Sequence, residues 1–388
     1  MTAAARKAFE DAVALEDAGQ IDKALVSYLK AQELSPEDTE IAYRTASALL
    51  RTGYLEEAQS QLRRIVFVEP DHLDARTSLG NCQLLMGDTL NARQNFAEVL
   101  STSPGNRNAL YGLASVLLKE NEPADAAVAA RRLVELLPDS PAALTLFADT
   151  QARTEQMAAA IAAYRKALKA DPDYGPALIG LSRALLLRKR YDEVIDLAVR
   201  ASEKAASDAE PLELLSDALL GKGALQDACE AAEAAVRLAP DAAPNRVRLS
   251  VLRRKLGDYA GAMDHALRAH DIDKSAKAPL NALGSALATL KKPDQARSVL
   301  TGMATGKGLD PAVRRTVEVL IASARSETES PESQPVPIPE MSSECSAADR
   351  AVGIETTSQV VPKPAGDGLD PRGDHLPNVL GLRRQDRS

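Results

Sequence analysis

Residues able to support chemistry are sparse in this chain and do not converge. Histidines stand at His72, His265, His270 and His375, in no metal-ligand spacing; His265 and His270 are five apart on a helical segment, which turns them to different faces. They read as solvated or helix-end histidines. Cys82, Cys229 and Cys345 are far apart and odd in number, which suits neither a disulfide framework nor a paired metal site. Two small core residues and one tail thiol is the simpler reading. The segment Thr301-Gly302-Met303-Ala304-Thr305-Gly306-Lys307-Gly308 has some features of a phosphate-binding loop, yet Thr301 occupies the first glycine place and Gly308 stands where serine or threonine should follow the lysine. It also follows a helical segment rather than a strand, so it reads as a flexible turn. Carboxylates lie on helix surfaces, none in an apolar setting that would raise a pKa for acid or base work. The run Arg253-Arg254-Lys255 lacks interleaved aromatics and reads as a solvated face, not a nucleic-acid site. These residues predict no enzyme, no cofactor and no bound metal.

Charge and hydropathy narrow the class further. The 388 residues carry a formal net charge of -8, so no global basic field draws in nucleic acid or an anionic membrane surface. Charged residues interrupt the N-terminal segment Met1 to Asp11 before a signal-length apolar stretch can form, and no run approaches the roughly 18 apolar residues of a membrane span. The expectation is a soluble, cytoplasmic protein without membrane insertion.

The elements that must carry any function are set by a repeat. Prolines recur at Pro36, Pro70, Pro104, Pro138, Pro172 and Pro240, spaced by 34 residues or, across Ala206, by twice that. With each proline at place 32 of a 34-residue unit, place 20 holds Ala24, Ala58, Ala92, Ala126, Ala160, Val194, Ala228, Ala262 and Ala296. A small side chain there lets two helices approach closely. Place 15 holds Gly19, Gly53, Gly87, Gly223 and Gly257, suited to ending one helix before the next begins. Leu79, Cys82 and Met86, then Leu90, Phe96, Val99 and Leu100, follow helical spacing within the third unit, where Gln83 is the poor fit. Each unit therefore reads as helix, tight turn, helix and a proline-bearing turn.

These residues resemble the tetratricopeptide repeat, which places a large residue at 4, Leu at 7, a small residue at 8, Ala at 20, an aromatic at 24, Ala at 27 and Pro at 32. The first unit supplies Ala24, Tyr28, Ala31 and Pro36; the third Leu79, Gly80, Ala92, Phe96 and Pro104; the fifth Phe147, Ala148, Ala160, Tyr164, Ala167 and Pro172; the ninth Leu283, Gly284 and Ala296. Departures are the absence of tryptophan and alanine at place 24 in Ala130, Ala198, Ala232 and Ala266, which predicts thinner interfaces in those units. The resemblance implies an all-α fold, an α-solenoid wound as a right-handed superhelix. Nine units are expected over 1–310, at 5–38, 39–72, 73–106, 107–140, 141–174, 175–208, 209–242, 243–276 and 277–310. Val313, Val317, Leu320 and Ile321 predict one more amphipathic helix over 311–325 as a C-terminal cap. The proline- and serine-rich segment 326–388 is expected to be a disordered tail; within it, Leu376 to Arg384 clusters apolar residues before basic ones.

The resemblance also implies where a partner would sit. Such arrays line a concave face with the first helix of each unit, using places 2, 5, 6, 9, 12 and 13. Here these places give Tyr43, Arg44, Ser47 and Arg51 in the second unit, Thr77 and Asn81 in the third, and Tyr111, Ser115 and Lys119 in the fourth. Tyrosines flanked by hydrogen-bonding side chains suit peptide recognition, and neither Tyr43 nor Tyr111 is at a packing place of the pattern. The lysine, asparagine and arginine set of chaperone-tail-binding arrays is missing, and place 6 carries no asparagine ladder. The expected function is a scaffold or adaptor holding a protein or peptide partner, with self-association left open. Alternatives are the recruitment portion of a sulfotransferase- or glycosyltransferase-type enzyme whose catalytic domain lies elsewhere, and an assembly factor for secretion or exopolysaccharide export.

Overall fold

The computed structural model describes residues 1–328, with side chains described to Ser323. Eighteen helices form nine successive pairs: α1 (Ala3–Asp17) with α2 (Ile21–Leu34), α3 (Thr39–Thr52) with α4 (Leu55–Val68), α5 (Leu73–Met86) with α6 (Thr89–Thr102), α7 (Arg107–Lys119) with α8 (Pro123–Leu136), and α9 (Pro141–Arg153) with α10 (Met157–Ala170). The series continues with α11 (Gly175–Leu187) and α12 (Tyr191–Lys204), α13 (Glu210–Lys222) and α14 (Leu225–Leu238), α15 (Ala243–Lys255) and α16 (Tyr259–Ile272), and α17 (Lys277–Thr289) and α18 (Pro293–Thr305). A nineteenth helix, α19 (Pro311–Thr328), follows, and no strand occurs among the described residues. The architecture is an α-solenoid.

Local sequence explains where helices begin and end. Thr2, Asp38, His72, Asp88, Asn106, Ser140 and Asp258 cap helix starts by accepting a backbone N–H through the side chain, satisfying donors that the first turn leaves open. The turn inside every unit uses one left-handed residue at place 15. Five are the glycines of the repeat pattern, but Asn121, Glu155, Lys189 and Lys291 take φ of 57° to 62° at the same place. Geometry of the turn thus persists where its usual residue does not. Between units, Arg64, Lys166 and Arg200, each at place 26, donate to the carbonyls of Pro36, Pro138 and Pro172 in the preceding unit. The proline turn leaves that carbonyl open for a cation from the next second helix.

The core is a continuous file of small and aliphatic side chains shared by neighbouring units. Place 20 is buried in every unit, from Ala24 to Ala296. Tyr28, Phe96, Leu62 and Leu133 are fully enclosed; truncating such a leucine to alanine costs about 2–5 kcal/mol. Cys82 and Cys229 are buried, and burial pushes both thiols up to about 11. Gln83 is buried as well, its side-chain oxygen accepting from Asn95 Nδ2 at 2.8 Å, so the apparent misfit is a satisfied polar pair.

Two expectations are corrected here. Alanine at place 24 does not by itself thin the interface, because the next unit compensates: Leu146 at place 6 is buried in one cluster with Ala130, and Leu214 is likewise buried where Ala198 precedes it. The histidines of α16 are not solvated. His270 is 6% exposed and His265 is half-buried, and the Nδ1 of each is enclosed without a hydrogen-bond partner. Burial lowers both imidazoles below their ordinary value.

The last helix departs from the stacking rule of the units. α19 runs to Thr328, beyond the 325 expected for a cap, and packs mainly against α16 and only marginally against α18. Val317 and Ile321 enter the cluster built by Ala262, Met263, Leu267 and Leu283. Arg314 makes a paired contact with Asp271 at 2.6 and 2.8 Å. The tail motif Leu376 to Arg384 lies outside the described residues.

Candidate concave binding face

First helices pack on first helices of neighbouring units: α3 on α5, α5 on α7, α7 on α9, α9 on α11, α11 on α13, and α15 on α17. Second helices show no comparable mutual packing among the described residues. A stack whose first helices crowd while its second helices spread is curved, with the first helices on the inside. The candidate face is therefore the wall formed by α3, α5, α7, α9, α11 and α13.

The side chains expected on that wall fall into three groups. Tyr43 and Tyr111 are half-buried and pack on core clusters, Tyr43 beside Leu49 and Leu79 and Tyr111 beside Leu110 and Leu146; they are packing residues after all. Tyr43 also stands against the His72 ring, centroids 5.0 Å apart. Thr77 and Asn81 are only 4% and 7% exposed, and Thr77 Oγ1 donates to the Leu73 carbonyl at 2.8 Å. Close stacking of α5 on its neighbours withdraws them from the surface. The cations are engaged internally: Arg44 pairs with Glu40 at 3.1 Å, Arg51 with Glu16, and Lys119 Nζ donates to the Leu84 carbonyl at 3.3 Å. Ser115 returns its proton to the Tyr111 carbonyl at 2.8 Å, and Ser47 stays half-exposed on α3. The expected set thus shares one wall, but its accessible part is Tyr43, Arg44, Ser47, Arg51, Tyr111, Ser115 and Lys119.

Charge on the wall is organised as pairs bridging units. Glu16 accepts from the Tyr28 hydroxyl at 2.6 Å and from Arg51. Arg183 on α11 reaches Glu210 on α13, and Arg248 on α15 reaches Asp217 at 2.8 Å and Glu213 at 3.6 Å. Asp149 on α9 differs, since its partner is the hydroxyl of Tyr164 and no cation pairs with it among the described residues. Burial raises the Asp149 carboxyl above the ordinary range, opposed by the Tyr164 bond and by Arg183 and Arg153. Places 5 and 9 of the fifth unit hold Thr145 and Asp149, so the register alone could have brought them forward.

Nothing in this geometry assembles a reaction centre. Among the described residues no three histidine, cysteine or acidic side chains come together as metal ligands, and no helix is long and apolar enough to cross a membrane.

Comparison with known proteins agrees with the geometry. The tetratricopeptide repeat family matches over residues 83–150 and 152–218. The peroxisomal targeting signal receptor of Eremothecium gossypii is 26% identical over 248 residues, 61% of this chain; the chain spans 42% of that receptor's length. Among solved structures, the APC/C hetero-tetramer Cut9-Hcn1 superposes with a TM-score of 0.59 at 15% identity, covering 71% of this chain and 55% of the other. A tetratricopeptide repeat protein from Parabacteroides merdae superposes with a TM-score of 0.51 at 18% identity, over 64% of this chain and 98% of its own. Identities this low show a shared fold.

Proposed function

Because this chain is a tetratricopeptide-repeat protein, we propose that it is a protein-interaction scaffold whose concave wall of first helices holds an extended or helical segment of a partner. The observation that carries this is the inward crowding of first helices from α3 to α13. It gives a continuous concave wall on which half-buried tyrosines alternate with hydroxyls and paired charges. Tyrosine buries area at small entropic cost and keeps a polar tip, and fixed neighbouring side chains lower the ordering cost of binding.

The test is capture of partners on the intact chain followed by cross-linking and mass spectrometry. Cross-links concentrated on α3, α5, α7, α9, α11 and α13 are the expected result. Cross-links confined to the second helices would place the partner on the convex side and overturn the proposal.

A further inference from the structure

The middle of the concave wall holds a polar group left incomplete. Thr145 and Asp149 are one turn apart on α9 and so share its face. Thr145 is 5% exposed and its Oγ1 is enclosed without any hydrogen-bond partner. That is unusual on this wall, because Thr77, at the same place two units earlier, and Ser115 and Ser182 all donate to the carbonyl four residues back. Buried hydroxyls without partners are rare and costly, by about 1–3 kcal/mol. Asp149 Oδ1 accepts from the Tyr164 hydroxyl on α10, and Oδ2 has no donor.

The surroundings select the charge of what would complete the group. Arg183 is the nearby cation, but its guanidinium is drawn across to Glu210 on α13. Tyr111 on α7 and Tyr174, which precedes α11, lie near enough to Asp149 for its charge to hold both phenols above their usual range, after burial. A half-buried carboxylate without a counter-charge repels anions and favours a cation. Tyrosine faces add cation–π attraction. One carboxylate and one hydroxyl are too few ligands for a hard metal ion, so the cation that fits is organic.

We propose that Thr145, Asp149, Tyr111 and Tyr174 form a pocket on the concave wall of the fourth to sixth units that receives one lysine or arginine side chain of the partner polypeptide. Asp149 Oδ2 accepts from its ammonium or guanidinium group, the two rings flank the aliphatic stem, and Thr145 Oγ1 gains the partner it lacks. This rests on the concave-wall reading above and names the chemistry of its central contact.

The test uses the full chain and dodecapeptides selected on it from a random phage-displayed library. The selected peptides should share one lysine or arginine. Changing that residue to glutamine should weaken binding at least tenfold, Asp149→Asn should do the same, and the two losses should not add, as in a coupled pair. Thr145→Val should weaken binding several-fold while leaving the thermal midpoint unchanged or higher, because a hydroxyl waiting for a ligand contributes nothing to the free fold. A fall in midpoint would make that hydroxyl structural and overturn its role. The peptide-side change tests the pocket even if Asp149→Asn is poorly folded. Peptides without a shared basic residue, or bound equally by Asp149→Asn, overturn the pocket; if they still cross-link to the first helices, the concave-wall reading survives. Cross-links on the second helices overturn both, and a library yielding no binder overturns the pocket.

Discussion

The ring of Phe96 occupies the space that a side chain at residue 112 would need: a Cβ built on Gly112 would stand 2.3 Å from Phe96 Cζ. Phe96 is at place 24 of the third unit and Gly112 at place 6 of the fourth, and the same exchange recurs where Tyr164 meets Gly180 at 2.4 Å. Where place 24 shrinks to Ala130, place 6 of the next unit grows to Leu146. Gly112→Ala should therefore lower stability by about 1–3 kcal/mol, the usual cost of overpacking. Phe96→Leu combined with it should recover part of that loss. Urea denaturation of the two single variants and the double variant checks it; losses that simply add would show that the two places do not share volume.

Glu155 and Lys189 sit left-handed in the intra-unit turns of the fifth and sixth units, where a Cβ is strained. Replacing either with glycine should raise stability by about 0.5–1 kcal/mol, the relieved strain less the added freedom of the unfolded chain. Asn121→Gly should gain less, since asparagine tolerates this conformation. Thermal melts of each variant measure it, and a lowered midpoint for Lys189→Gly would show that its side chain contributes more than its backbone costs.

Much of this was legible beforehand. A strict 34-residue register gave the helix pairs, the buried place 20 and the inner wall, because one unit's pattern is enforced by both neighbours. What escaped were properties of two units at once. Place 6 and place 24 had each been read down its own column, so the compensation of Ala130 by Leu146 did not show. Tyr43 and Tyr111 are absent from the packing places of the pattern, yet both lie on core clusters because neighbouring first helices stack directly on each other. Thr77 and Asn81 were withdrawn by the same stacking. Asp149 stood in the right register but gave no sign of its missing counter-charge, which depends on Arg183 turning to Glu210.

His270 makes the C-terminal end sensitive to acid. Burial holds its imidazole below the ordinary 6.5; Arg314 and Lys274 push in the same direction, and Asp271 and Asp273 oppose them. His265 is lowered too, again chiefly by burial, with Arg246, Arg253 and Arg268 adding to it and Asp264 opposing. Below 6.5 the unfolded chain binds protons that the folded histidines refuse, so stability falls as pH drops toward the folded values and is fully present above 6.5. Limited proteolysis should cut the α16–α19 region faster at about pH 5 than at about pH 7.5. The residue at this place is Leu100, Val134, Leu168 and Val236 in other units, so His270→Leu should fit and reduce the difference. An unchanged difference in that variant would move the acid sensitivity elsewhere.

Tyr43 and Tyr111 are two units apart at the same place, and their half-burial divides their contribution between fold and partner. Changing both to alanine removes core contacts as well as ligand contacts, so part of any loss of binding would be loss of folded protein. At a temperature where circular dichroism shows the double variant fully helical, partner affinity should still fall by about 2–4 kcal/mol if both rings are hot spots. Salt then separates rings from charges. Arg44, Arg51 and Lys119 already answer to Glu40, Glu16 and the Leu84 carbonyl, so their fields are largely cancelled, and affinity should change little between low and moderate salt. Steep loss of affinity with salt in the unaltered chain, together with tolerance of both tyrosine changes, would show that these cations leave their internal partners on binding and that the rings are only packing.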